Sequence, residues 1–93
     1  MTNAQIVALL RETADLVSAS EASLWSSRRP SEVAKTLEGE IAEITAGRHP
    51  NSLELRVLFA PTGAIQEIAL ANGWSERYMQ LASGFDTAVV TGE

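Results

Sequence analysis

Between Leu53 and Asp86 the chain reads LELRVLFAPTGAIQEIALANGWSERYMQLASGFD, and two breaks cut that stretch into short pieces. Pro61-Thr62-Gly63 interrupts it first and Asn72-Gly73-Trp74 second. Proline and glycine are the strongest local terminators of regular structure. No long helix or strand can therefore run through this segment, and short elements must fold back on one another.

After the first break, Thr62 is placed to cap a helix through Leu70 whose inner face carries Ile65, Ile68 and Ala69. Gly73 suits the left-handed residue that closes such a helix, and Trp74 would fold back. Ser75 is then expected to cap a last helix with Tyr78, Met79, Leu81 and Ala82 pointing inward. Gly84 reads as its end, Phe85 as a residue packing on its last turn, and 87–93 as a loosely held tail.

The piece before the first break is ambiguous. Leu53, Leu55, Val57 and Phe59 alternate with Glu54, Arg56 and Leu58, as in a strand. The same residues form i,i+4 pairs, as in a helix. A hairpin of 53–59 with 64–70 would make the fold α+β, but two strands alone are marginal, and only Ala88–Thr91 offers a third. Helix is the preferred reading.

The first half is clearer. Ile6, Leu10, Thr13, Ala14 and Val17 recur at helical spacing over 3–18, and Thr2 with Gln5 matches a capping box. The serine-rich stretch 18–30 weakens a helix, yet Leu24 and Trp25 within it demand burial. Val33, Leu37, Ile41 and Ile44 then make an apolar stripe over 31–46, opened by Pro30 and closed by Gly47. Gly39 inside that helix costs about 1 kcal/mol against alanine, so either tertiary packing must compensate or a neighbouring chain must approach closely there. The sum is a single all-α domain over 1–93, a compact bundle of four or five short helices.

With 93 residues, 45% of them apolar, one core is attainable, alone or completed by a second copy. No cysteine is present, which excludes disulfides and thiolate metal sites. No run approaches the roughly 20 apolar residues that span a bilayer. The N-terminus lacks the features of a signal peptide, and a cytoplasmic location is expected. Twelve acids against seven bases give a net charge of −5, which disfavours nucleic acid and anionic lipid and favours a basic partner.

Catalytic machinery is not legible. His49, the sole histidine, lies between Arg48 and Pro50 in a turn, with no carboxylate pair at useful spacing. The serines lack a partnered base or nucleophile elbow, and the glycines form no phosphate-binding loop. The expectation is a non-enzyme without cofactor or metal. Glu32, Glu38, Glu40 and Glu43 lie off the apolar stripe of 31–46, a solvated face that can also steer a basic protein. The segment 66–83 has the spacing of a helix-turn-helix, with small Ala69, turn Gly73 and apolar Met79. Only Arg77 and Gln80 on its second helix suit base contacts, and Glu76 would repel phosphate. Glu32, Glu40, Glu43, Trp74, Glu76 and Arg77 are the candidate partner-binding residues, and a homodimer is a further possibility.

Leu58-Phe59-Ala60-Pro61-Thr62-Gly63, then Gln66-Glu67, Asn72-Gly73-Trp74 and Phe85-Asp86, resemble a pattern in small uncharacterised bacterial proteins. The resemblance covers about a third of the chain. It implies no activity; by analogy of size and charge it is similar to toxin-neutralising immunity proteins. The shared residues are turn and cap formers.

Overall fold

The computed structural model describes residues 2–22, 28–50, 52–61 and 63–91. Among these the chain forms five helices and no strand: α1 (Asn3–Ser18), α2 (Pro30–Thr45), α3 (Leu53–Phe59), α4 (Ala64–Asn72) and α5 (Ser75–Thr91). The fold is an all-α bundle, and the hairpin alternative for 53–59 and 64–70 is corrected. Leu24, Trp25, Thr62, Gly92 and Glu93 lie outside the described residues.

α1 begins where its sequence says. Thr2 Oγ1 accepts from the Gln5 amide at 3.2 Å while Gln5 Oε1 accepts from the Thr2 amide at 2.8 Å. α1 and α2 pack antiparallel: Asn3, Ala4 and Val7 lie against Ile44, Thr45 and Gly47, and Ser18 lies near Pro30 and Ala34 at the other end. Ile6, Leu10, Ala14 and Val17 from α1 meet Val33, Leu37, Ile41 and Ile44 from α2 in the core. Thr13, fully buried among them, donates its hydroxyl to the Leu9 carbonyl at 2.8 Å, which removes the cost of burying it.

Just past the end of α2 stands Gly47, whose φ of 106° a residue with a side chain would adopt only under strain. Gly47 N–H donates to the Ile44 carbonyl and Arg48 N–H to that of Glu43, which satisfies the last carbonyls of the helix. Gly39 is exposed, and nothing among the described residues lies within 4 Å of where its Cβ would stand. Gly39→Ala is therefore expected to stabilise the protein by about 0.5–1 kcal/mol, read as a higher urea midpoint at unchanged slope.

α3 is short because Ala60-Pro61 stops it. Leu55, Leu58 and Phe59 face the core, while Leu53 and Val57 face outward and are 74% and 55% exposed. The alternation that imitated a strand thus comes from a helix with apolar residues on both sides. Gly63 flanks α4 at its start, and Gly73 closes it in the left-handed conformation at φ 79°.

α5 departs most from the sequence reading. It begins at Ser75 with the Trp74 carbonyl accepting from Tyr78 N–H at 3.0 Å, so Ser75 is its first residue and not its cap. It runs through Gly84 to Thr91, which makes 87–91 of the expected tail a continuation of the helix. Phe85 is in the core, stacked on Phe59 with ring centroids 4.6 Å apart and planes 15° from parallel. Tyr78, Leu81, Phe85 and Ala88, spaced three, four and three apart, are the buried stripe. A glycine costs a helix about 1 kcal/mol, less than burying a phenylalanine returns, so the helix passes through. That stripe turns Met79 outward, 67% exposed, against the inward placement expected from sequence.

Candidate functional site

The corner after α4 is held by side chains rather than left open. Asn72 Oδ1 accepts from the Glu21 amide at 2.9 Å, and its Nδ2 donates to the Glu21 carbonyl at 3.0 Å. The side-chain amide thus imitates a backbone pairing and fastens the segment after α1 to the end of α4. Both partners are backbone groups, so the orientation of the amide is fixed by chemistry. Nδ2 also donates to the Ile68 carbonyl at 3.0 Å. Trp74 is half-buried against the core, with Nε1 donating to Ser20 Oγ at 2.9 Å.

Asn72→Ala is expected to lower stability by about 1–2 kcal/mol in chemical denaturation. Asn72→Asp should cost a similar amount, since it sets a carboxylate oxygen against the Glu21 carbonyl.

Arg77, the residue best suited to read a base, is turned to α1. Its Nη2 donates to Glu12 Oε1 at 2.6 Å and its Nε to Oε2, a two-pronged pair, while Nη1 donates to Gln80 Oε1 at 2.6 Å. The hydrogen bonds from Arg77 hold the Glu12 carboxyl below its ordinary pKa, and Glu12 raises that of Arg77. Because the folded pKa of Glu12 is depressed, its contribution is full above the unfolded carboxylate pKa and is lost as pH falls through the folded value. The stability advantage over Glu12→Gln should accordingly shrink on acidification through the carboxylate range, as urea titrations at several pH values would record. Both side chains are substantially solvated, so the effect is small.

The acids of α2 divide. Glu40 is half-buried and accepts from Ser52 Oγ, which in turn accepts from the Leu55 amide at 3.2 Å. Glu40 therefore supports the start of α3. Glu32, Glu38 and Glu43 are exposed with Lys35 among them, and Glu43 meets Arg48 at 3.4 Å. Arg28 reaches Glu54 at 3.2 Å and Thr36 at 3.3 Å, tying the chain before α2 to α3. Arg28 and Arg77 are thus drawn to different acids on different helices.

Of the six candidates, Glu32, Glu43, Glu76 and Arg77 are exposed and Glu40 and Trp74 half-buried; Glu40, Glu43, Trp74 and Arg77 have partners within the chain. They do not converge. α1 packs against both α2 and α5, which have no substantial contact with one another. A shallow cleft of about 780 Å³ lies between the end of α1 and the start of α2. Arg29, Lys35 and Glu38 share its rim, which denies it a field of one sign. His49 is exposed in its turn. Among the described residues no three His, Asp or Glu are grouped to hold a metal, and no helix is long and apolar enough to cross a membrane.

No protein-family model, curated protein or solved structure matches this chain. Function is therefore argued from these side chains. Sequence reasoning missed Glu12, Ser52 and Glu21, each a partner of a residue it had singled out. Ser52 alone was signalled, as a serine directly before an apolar run. Glu12 and Glu21 pair with residues 65 and 51 positions away, through helix packing that no local pattern encodes.

Proposed function

We propose that this protein is a non-catalytic interaction module that binds a basic protein through its acidic surface, in the manner of a small immunity protein. The observation that carries the reading is the outer face of α2. There Glu32, Glu38 and Glu43 stand exposed beside Lys35, with Arg48 paired to Glu43, on a chain of net charge −5. A negative face of this kind accelerates encounter with a cationic surface and loses that advantage as salt screens it. The resemblance around Leu58–Gly63 and Asn72–Trp74 fits the reading as a structural signature. Tyr78 donates to the Phe59 carbonyl at 2.9 Å, and Asn72 and Trp74 fasten the neighbouring corner.

The test is affinity capture with the intact chain, beside a variant carrying Glu32→Lys, Glu38→Lys and Glu43→Lys. The wild type should retain a basic protein whose association slows steeply with salt, and the variant should lose it. Capture of nothing, or equal capture by both, rejects the reading.

A second reading, a helix-turn-helix regulator, is favoured by one feature. Ala69 is fully buried where α4 meets α5, and Gly73 makes the left-handed turn between them. Its weakness is that Arg77 would have to leave Glu12 to reach a base. Fluorescence anisotropy with duplex DNA at low salt separates the two, since binding that falls steeply with salt would support the regulator.

A further inference from the structure

α3 is apolar on both sides and covered on one. Leu53 and Val57, one turn apart, project from the side opposite Leu55, Leu58 and Phe59, with Glu54 and Arg56 exposed between the two faces. Arg56, next to Val57 in the chain, lines a depression of about 350 Å³ together with Ala60, Pro61, Phe85, Asp86 and Val89. Arg56 and Asp86 stand on its rim. Both are exposed, and neither belongs to an ion pair among the described residues.

The rim decides what covers the strip. A basic partner of the kind that suits α2 would want acids on both sides, whereas this rim carries one cation and one anion. A rim of opposite charges is complementary to itself under a two-fold rotation, where each residue meets the other kind from its twin. We infer that the Leu53–Val57 face and the adjoining groove form the interface of a homodimer. The outward apolar ridge of each copy seats in the groove of the other, and Arg56 of each pairs with Asp86 of its twin. This is separate from the acidic face of α2 and stands or falls independently of the function proposed for it.

Sedimentation equilibrium from micromolar to near-millimolar concentration tests it on the full chain. The wild type should show a reversible monomer–dimer equilibrium. Val57→Glu, at an exposed position, should raise the dissociation constant at least about tenfold, as loss of a central apolar anchor does. Arg56→Glu alone and Asp86→Lys alone should each weaken the dimer, and the two together should restore it. That charge swap keeps the test decisive should Val57→Glu fail to fold. A wild type monomeric throughout overturns the inference, including the case in which the face captures a different protein. A dimer indifferent to all three single variants also overturns it, because the interface then lies elsewhere.

Discussion

Replacing Phe85 with alanine is expected to remove about 3–5 kcal/mol of stability, the usual cost of emptying a buried phenylalanine site. The ring is 2% exposed and lies in the same core as Leu58, Ile65 and Tyr78. It also stacks on Phe59, and aromatic pairing contributes about 0.5–1.5 kcal/mol beyond the area buried. A domain of this length has about 5–14 kcal/mol in all, so the variant would sit near the edge of unfolding. The consequence extends along α5. Phe85 follows Gly84 directly, and its burial is what carries the helix past that glycine to Ala88. Urea unfolding followed by far-ultraviolet circular dichroism should show the lower midpoint together with reduced helicity. Phe85→Leu separates the contributions, keeping most of the volume and losing the stacking, for an expected cost of about 1–1.5 kcal/mol. A loss below about 1 kcal/mol for the alanine variant would mean that α5 ends at Gly84 after all.

That error about Gly84 shows where the sequence stopped being informative. Local rules placed α1 correctly because the Thr2–Gln5 box is an interaction across three residues, visible without knowing the fold. They closed α2 at Gly47 and α4 at Gly73 because a left-handed residue is a local requirement. They failed at Gly84 because nothing local distinguishes a glycine that terminates a helix from one that a helix overrides. The difference is made by Phe59, 26 positions away, which receives the Phe85 ring. At 53–59 the i,i+4 pairs gave the helix, and the alternation that allowed a hairpin was misleading for a related reason. Period-two patterning assumes that apolar residues seek one face, and Leu53 and Val57 are on the other. Met79 was misplaced because the frame of α5 is set by Tyr78 and Leu81, whose common face becomes known only once Phe85 and Ala88 join it.

The candidate site was less legible than the fold, again through distance. Which acids face solvent depends on which are captured, and Glu40 and Glu12 are captured by Ser52 and Arg77 through packing between helices. Charge alone could identify the outer face of α2. It could not foresee that Arg77, the strongest candidate for reading DNA, is committed to α1.

Gly63→Ala is the second large effect, expected at about 2–3 kcal/mol despite adding one methyl group. The position is not special for its dihedrals: φ −77° and ψ 178° are open to any residue. What excludes a side chain is the end of α3. A Cβ at Gly63 would stand 2.7 Å from the Val57 carbonyl oxygen, 2.8 Å from that of Ala60 and 3.0 Å from that of Leu58. These are backbone atoms, so no rotamer change relieves the clash; either α3 or the start of α4 must move. Movement has its own costs. The Gly63 amide donates to the Ala60 carbonyl at 2.9 Å, and the Tyr78 hydroxyl donates to the Phe59 carbonyl beside it. Burial of that phenol already raises its pKa, with the Asp86 charge adding to the effect, so a lost partner would leave a desolvated hydroxyl unsatisfied. The Tyr78 hydroxyl contact to Phe59 separates the two movements. If steric pressure from Gly63→Ala drives the end of α3 away, Tyr78→Phe should cost about 1–2 kcal/mol in the wild type and much less in the Gly63→Ala background, a coupling measurable in a double-mutant cycle. Additive losses would mean that the methyl group is accommodated at the start of α4, with the Tyr78 contact to α3 preserved.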